Sequence, residues 1–141
     1  MTLVVAEARD GEVWIVADTA ITDPLAGTRE RINTPKILRL SRDSMVAFAG
    51  NPGLAKRVIN SVLSVPPGKS VMQMLLKGHI ENEHLDFAYA YLDGGRAKLI
   101  RVSGGKAVPV PTLHIGSLRS DDSNTFAMVM LSTMLHQRCT H

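Results

Sequence analysis

Apolar and polar positions divide the first part of the chain into two apolar runs joined by a turn. Residues 2–8 and 13–19 are rich in β-branched and other apolar side chains, with Asp10-Gly11 between them. Asp-Gly between such runs favours a type I′ hairpin turn, which needs positive φ at both central positions. Both runs are almost continuously apolar, which is typical of strands covered on both faces. The pattern predicts a buried β-hairpin at the start of the chain.

The following polar stretch, residues 20–35, contains two prolines and a glycine and is predicted to be a loop. Apolar runs at 36–40 and 45–49 are each short and bounded by turn residues, which predicts two further strands. A third group of apolar runs, at 86–92, 97–103, 106–110 and 112–116, is predicted to add four more.

Helical spacing begins after the strand at 45–49. Asn51 and Pro52 are a favourable N-cap and first helical residue, and apolar residues follow at intervals of three and four. The sequence PPGK at 66–69 ends this helix, and Ser70 is expected to cap a second one through about residue 80. Residues 124–136 are apolar around most of a helical circumference and are predicted to form a last helix. Because strands and helices come in separate groups, the fold class is predicted to be α+β.

Composition supports one globular domain over residues 1–141, because 45% of the residues are hydrophobic and 21% are charged. No apolar run reaches the roughly 18 residues that a membrane helix needs. The N-terminus lacks the basic start and the small-residue cleavage site of a signal peptide. Cys139 is the single cysteine, so a disulfide framework is excluded and a cytoplasmic location is expected.

The charge pattern argues against nucleic acid as a partner. The formal net charge is +3, but basic residues are interleaved with acids and aromatic residues make up only 4% of the chain. A nucleic-acid surface would need a basic stripe with stacking aromatics.

Two apparent motifs are weak. Gly68-Lys69-Ser70 resembles the end of a phosphate-binding loop, but the pattern requires glycine where Leu63 stands and a strand where a helix is predicted. His79 and His84 are five residues apart and do not share a helix face, unlike a zinc-binding pair. Neither a metal nor a cofactor is expected.

The hairpin register brings polar groups together near the chain start. With Asp10-Gly11 as the turn, Thr2 lies opposite Thr19, and Asp18 lies about 5–8 Å away on the diagonal. Lys36 opens the next strand and is an available cation. A threonine hydroxyl, an acid and a lysine are therefore expected near one strand end. An exposed salt bridge at that end, worth about 0–1 kcal/mol, is the alternative interpretation.

The order and spacing of several segments resemble a known family. The segments are TLVVAEARDGEVWIVADT, PKILRL and MVAFAGNPGLAKRVINSV, followed more weakly by LDFAYAYLDG and LHIGS. They resemble the proteasome β-subunits and the peptidase subunit of the bacterial ATP-dependent heat-shock protease, which are N-terminal-nucleophile hydrolases. The resemblance covers most of the chain to Ser117.

The resemblance implies a four-layer αββα sandwich. In this family the nucleophile is a threonine exposed as the first residue, which corresponds to Thr2 once Met1 is removed. The family continues with a further helix and closing strands, so the fold expected for this chain is a C-terminally shortened version that ends at His141.

The resemblance also implies the rest of the site. Asp18 corresponds to the family's acid at the end of the second strand, and Lys36 to its lysine at the start of the next strand. Ala47 takes the position whose backbone N–H helps to hold the oxyanion, usually a glycine. Ser117 corresponds to the serine that follows the late Ile-Gly, and Leu118 replaces the glycine usual after it.

The implied activity is hydrolysis of amide bonds in peptides or unfolded proteins by a homo-oligomeric ring, with an ATP-dependent unfoldase as a possible partner. Two alternatives stay open. The shortened C-terminus favours a non-catalytic structural or interaction subunit of the same fold. An amidase for small molecules would use the same nucleophile and differ in cleft shape.

Overall fold

A computed structural model of the protein describes residues 3–9, 11–17, 20–22, 31–33 and 36–116. These residues form ten strands and two helices. In chain order they are β1 (Val4–Arg9), β2 (Glu12–Ala17), β3 (Ala20–Thr22), β4 (Arg31–Asn33), β5 (Ile37–Ser41), β6 (Ser44–Ala49), α1 (Pro52–Val62), α2 (Lys69–Glu81), β7 (Asp86–Asp93), β8 (Arg96–Ser103), β9 (Lys106–Pro109) and β10 (Thr112–Ile115). The predicted helix at 124–136 lies outside the described residues.

The predicted N-terminal hairpin is confirmed in its register. β1 and β2 are antiparallel, with Arg9 opposite Glu12 and Val4 opposite Ala17. β10 pairs with the other edge of β1, and Val4 lies opposite Ile115. The result is a three-stranded antiparallel sheet with β1 in its centre.

The prediction that residues 20–35 form only a loop is wrong. β3 and β4 are each three residues long and pair with one another as a separate antiparallel ladder. Strands this short span barely more than one period of side-chain alternation, so they leave almost no hydrophobic signal.

The five remaining strands form an antiparallel sheet in chain order, β5-β6-β7-β8-β9. Successive side chains on a strand point to opposite faces, and here the two faces differ in residue size. One face packs on the helices in a helix-side layer of buried residues. That layer consists of Val46, Phe48, Ala55, Ile59, Val62, Val71, Leu75, Leu85, Phe87, Tyr89, Ile100 and Val102.

The other face packs against the three-stranded sheet in an inter-sheet layer. That layer consists of Val4, Ala6, Ala47, Ala49, Ala88, Ala90, Leu99, Leu113 and Ile115. The helices and the three-stranded sheet therefore cover opposite faces of the five-stranded sheet. The chain has an α+β fold, as the grouping of strands and helices predicts.

The start of α1 follows the sequence prediction. The Asn51 side-chain oxygen accepts hydrogen bonds from the N–H groups of Gly53 at 2.9 Å and Leu54 at 3.1 Å. These bonds satisfy donors that the first helical turn leaves without an intrahelical partner. Pro52 is the first helical residue, where a missing N–H costs nothing.

The start of α2 differs from the prediction. The helix begins at Lys69 after Gly68, and Ser70 lies inside its first turn without capping it. The Gly68 N–H donates to the Tyr89 hydroxyl at 3.0 Å, so it is already used within the core. Burial raises the pKa of Tyr89, which keeps this hydroxyl neutral. This bond and the helix that precedes the segment support the interpretation of residues 66–69 as a turn between two helices and not as a phosphate-binding loop.

Helices α1 and α2 approach closely at Gly78. A β-carbon at this position would lie 2.7 Å from both γ-methyl groups of Val58. Glycine is therefore required for the helices to pack at this distance. Of the helices in the described part of the chain, neither has the length and apolar content needed to cross a membrane.

Candidate active site at one end of the two sheets

Of the two predicted site residues that the structure describes, Lys36 has the more unusual environment. Its side chain is 1% exposed, although it immediately precedes the edge strand β5. The Lys36 carbonyl accepts a hydrogen bond from the Phe48 N–H at 3.0 Å, which fixes its backbone against β6. Lysine is almost never fully buried in proteins unless its charge is compensated. This burial marks Lys36 as more than an ordinary residue at a strand end.

Ala47 lies beside Lys36 in the sheet. It is fully buried in β6, with Ile37 opposite it on β5 and Ala88 opposite it on β7. Lys36 and Ala47 therefore lie at the same end of the β5–β6 pair.

The direction of the Ala47 N–H follows from which residues of β6 form hydrogen bonds to β5 and which form them to β7. The Phe48 N–H points to β5, because it donates to Lys36. Since amides alternate in direction along a strand, the Ala47 N–H points to β7 and to its opposite residue Ala88. A second bond, from the Leu92 N–H to the Asp43 carbonyl at 2.9 Å, leads to the same conclusion. Asp43 and Ala47 are four residues apart, so their backbone polar groups point to the same side, towards β7. In this arrangement the Ala47 amide belongs to the sheet ladder.

The other three predicted site residues, Thr2, Asp18 and Ser117, lie outside the described residues. Their described neighbours in sequence are nevertheless informative, because they form one row across the three-stranded sheet. Val4 lies in the centre of that row, opposite Ala17 on β2 and Ile115 on β10.

The cleft-lining residues show that the β1–β2 turn and the β5–β6 turn lie at the same end of the fold. The row of Val4, Ala17 and Ile115 therefore lies towards the other end, where Lys36 precedes β5. Val4, Ile115 and Ala47 are members of the same inter-sheet layer, and Ala17 and Ile37 pack against it. No group of three or more His, Cys, Asp or Glu side chains that could hold a metal ion is found within the described ranges.

A cleft of about 250 Å³ lies at the opposite end of the strands. It is formed by the turn between β1 and β2, the turn between β5 and β6, and the end of β7. Trp14, Met45 and Tyr91 provide its apolar walls, with Arg39 and Asp43 among its polar residues. Of the predicted site residues that the structure describes, neither Lys36 nor Ala47 lines this cleft.

His79 is a buried polar residue that the sequence analysis did not single out as functional. It is 3% exposed, its Nε2 accepts a hydrogen bond from the Gly105 N–H at 2.8 Å, and its Nδ1 lies 2.8 Å from the Leu85 carbonyl. A nitrogen that accepts carries no proton, so the ring proton is on Nδ1 and is donated to Leu85. A signal for its burial was present, because Val71, Leu75 and His79 recur at four-residue intervals on one helix face.

Asp86 lies next to this histidine, with its Oδ1 3.4 Å from Nδ1 of His79. Burial raises the pKa of Asp86, while the nearby His79 and His84 lower it. Desolvation is the larger influence, so the folded protein favours the neutral form of this carboxyl more than water does.

Neither a known protein-family model nor a curated protein sequence matches this chain. The candidate site is therefore supported by its own residues and their arrangement.

Proposed function

We propose that the protein is an N-terminal threonine hydrolase that cleaves amide bonds in peptides or unfolded proteins. The observation that carries the proposal is a buried lysine at the end of the fold where strands of both sheets end. Val4, Ala17 and Ile115 form one row, Val4 and Ile115 share the inter-sheet layer with Ala47, and Lys36 is buried at the same end of the fold.

Chain connectivity limits how far the remaining site residues can lie from this row. Thr2 precedes Val4 by two residues, Asp18 follows Ala17 directly, and Ser117 follows Ile115 by two. An extended chain spans at most about 3.6 Å per residue, so each backbone lies within about 7 Å of its neighbour in the row. The proposed site is compatible with the described strands.

The proposed chemistry begins when removal of Met1 frees the α-amino group of Thr2. An α-amine has a reference pKa of about 8, against about 10.4 for lysine, so near neutral pH it can accept a proton. It takes the proton of its own hydroxyl, and the oxygen attacks the scissile carbonyl. The proton then passes to the leaving amine, and water hydrolyses the ester that remains on Thr2.

Lys36 supplies positive charge in this proposal. A cation near the amine disfavours the protonated ammonium form and stabilises the developing alkoxide. In this proposal Asp18 holds the lysine in position, and Ser117, two residues beyond the end of β10, supports the terminus. Burial of Lys36 strengthens these interactions, because a water-excluded site screens charge less than solvent does.

The oxyanion donor is the most demanding part of the proposal. A positioned N–H is worth about 2.7–4 kcal/mol of barrier. The Ala47 N–H points towards β7, so it can serve a substrate only if the ladder opens locally at Ala88. This geometry specifically favours the second candidate, a non-catalytic structural or interaction subunit that keeps the fold.

The proposed architecture is the four-layer αββα sandwich, in the cytoplasm and assembled as a homo-oligomeric ring that works with an ATP-dependent unfoldase. The outer face of the three-stranded sheet carries apolar residues that a fourth layer would cover. Val5, Trp14 and Val16 alternate with the residues of the inter-sheet layer; Val5 is 3% exposed, whereas Val16 is 38% exposed.

Intact-mass measurement followed by a peptidase assay tests the proposal. The expected mass lacks one methionine residue, and Thr2→Ala is expected to abolish peptide hydrolysis while Thr2→Ser retains part of it. Lys36→Met keeps the length and packing of the buried side chain but removes its charge, and turnover is expected to fall about 10²–10³-fold. Lys56→Met, at an exposed position on α1, is the matched control.

The two candidate functions give different results. Retention of Met1 in protein from its own host, or full activity in Thr2→Ala, would exclude the threonine mechanism. A mature protein that lacks Met1, folds normally and hydrolyses no peptide supports the non-catalytic subunit.

A further inference from the structure

We propose that His79 is an acid-sensitive latch, which holds the turn between β8 and β9 against α2 and releases it when the imidazole is protonated. The latch is independent of the proposed hydrolysis, because none of its residues belongs to the candidate active site.

The two ring nitrogens connect α2 to different parts of the fold. Nε2 accepts from Gly105 in the β8–β9 turn, and Nδ1 donates to Leu85 in the connection to β7. Protonation would place a proton on Nε2, directly facing the Gly105 N–H. Two donors cannot form a hydrogen bond, so this contact is lost.

The contact on the other side of the ring survives protonation. Nδ1–H keeps the Leu85 carbonyl as its acceptor, and the Asp86 carboxylate at 3.4 Å attracts the positive charge. Protonation therefore breaks only one of the two hydrogen bonds of the ring. The bond to the connection before β7 is kept, and the bond to the β8–β9 turn is lost.

Other charged groups lie near the cavity beside the ring. Glu83 and His84, in the connection between α2 and β7, line that cavity together with His79, Gly104 and Gly105. Lys106 follows Gly105 at the start of β9. Glu83 and His84 are both exposed and lie 3.5 Å from one another, whereas Asp86 is the carboxyl that contacts the ring.

The released turn is well placed to loosen the connection between the two sheets. β9 is a four-residue edge strand, and the chain passes from it to β10 in the other sheet. The Ala8 N–H donates to the Pro111 carbonyl in this connection at 2.9 Å. The His79 bond fixes the other end of β9, so its loss leaves the strand held by its ladder with β8.

The chain contains a matched control turn. Gly94-Gly95 joins β7 to β8 in the way that Gly104-Gly105 joins β8 to β9, and all four glycines have positive φ. The described hydrogen bonds place a histidine acceptor at Gly105 and none at Gly95.

An NMR titration of the full chain from about pH 8 to about pH 5, the range in which histidine changes charge, tests the latch. The ring nitrogens of His79 and the amide of Gly105 are expected to titrate with one midpoint, while the Gly95 amide does not follow it. Loss of one hydrogen bond predicts about a tenfold fall in amide-exchange protection of Gly105 relative to Gly95.

Two variants separate the two sides of the ring. The His79→Gln side chain places an oxygen near the position of Nε2 and keeps the Gly105 bond at every pH. The shorter His79→Asn side chain serves Leu85 alone and leaves Gly105 unprotected throughout. In both variants the exchange protection of the Gly105 amide is expected to be independent of pH. It is expected to be high in His79→Gln and low in His79→Asn. A Gly105 amide that follows pH in either folded variant, or that tracks Gly95 in the wild type, would overturn the latch.

Discussion

The two faces of the five-stranded sheet are built from side chains of very different size. On the helix-side layer β6 and β7 present Phe48, Phe87 and Tyr89, whereas on the inter-sheet layer the intervening positions are alanines such as Ala47 and Ala88. Both faces are buried, so hydrophobicity alone does not distinguish them. Size does, because bulky side chains fill the space beneath helices and small ones allow another sheet to approach.

The partner sheet complements the alanine face. Val4, Leu113 and Ile115 point into the inter-sheet layer from the three-stranded sheet, opposite the small residues of β6 and β7. Large side chains from one sheet thus meet small ones from the other, as close packing requires. The strands are oriented so that the beginning of β1 and the buried Lys36 lie at the same end of the fold, opposite the β1–β2 and β5–β6 turns.

Truncation on the large-residue face is expected to have the greatest effect on stability. Phe48→Ala removes a fully buried ring from the helix-side layer and is expected to lower the free energy of unfolding by about 3–5 kcal/mol. Urea denaturation measures the loss. Leu92→Ala, at a side chain that is 40% exposed, is the control and is expected to change stability by less than about 1 kcal/mol. Equal losses in the two variants would contradict the assignment of the core.

Enlargement on the small-residue face tests the opposite requirement. Ala88→Val adds volume between the two sheets and is expected to cost about 1–3 kcal/mol, although valine has the higher strand propensity. Ala107→Val, at a half-buried position on the edge strand β9, is expected to be close to neutral. Thermal unfolding of both variants gives the comparison. An unchanged unfolding temperature for Ala88→Val would contradict close packing of the two sheets at this position.

The contact between the helices provides a similar test outside both faces. Gly78→Ala places a methyl group against Val58 and is expected to cost about 1–3 kcal/mol, at the lower end if α1 shifts. Val58→Ala in the same chain should recover part of that cost. A double-mutant cycle measures the coupling, which is expected to exceed about 0.5 kcal/mol. Strict additivity would mean that the two residues do not touch.

The smallest predicted effect concerns Asp86, at the margin of the packed layers. Since burial raises its pKa, the folded state holds this proton more tightly than the unfolded state. The stabilisation is present below the ordinary aspartate pKa of 3.8 and is lost as the pH rises through the higher folded value. The stability of Asp86→Asn relative to the wild type is therefore expected to increase with pH above 3.8. Denaturation at a series of pH values checks the slope, and a decrease would contradict it.

Much of this arrangement could be predicted from local signals in the sequence. The Asp-Gly turn sets the β1–β2 register, and Asn51 caps α1 as expected. The alternation of aromatic residues and alanines in FAYAY, at 87–91, also carries the difference between the two faces. Its period of two shows which residues share a face but not which layer covers it.

Other features depend on contacts distant in sequence. The pairing of β3 with β4 joins segments too short to show a pattern, and the start of α2 at Lys69 leaves Ser70 without the expected capping role. The burial of His79 depends on Gly105, which is 26 residues away. The direction of the Ala47 N–H depends on how β6 pairs with both of its neighbouring strands, and no local sequence motif determines that pairing.

We propose that Thr2 is the nucleophile and that its reactivity depends on the positive charge of Lys36. Covalent labelling tests it most directly, with a peptide that carries a hydroxyl-directed electrophile and mass spectrometry to locate the adduct. We expect one adduct per chain, on Thr2, that is lost in Lys36→Met and retained in Lys56→Met. A folded protein with Met1 removed that stays unlabelled at Thr2, or is labelled equally well without the Lys36 charge, would contradict it.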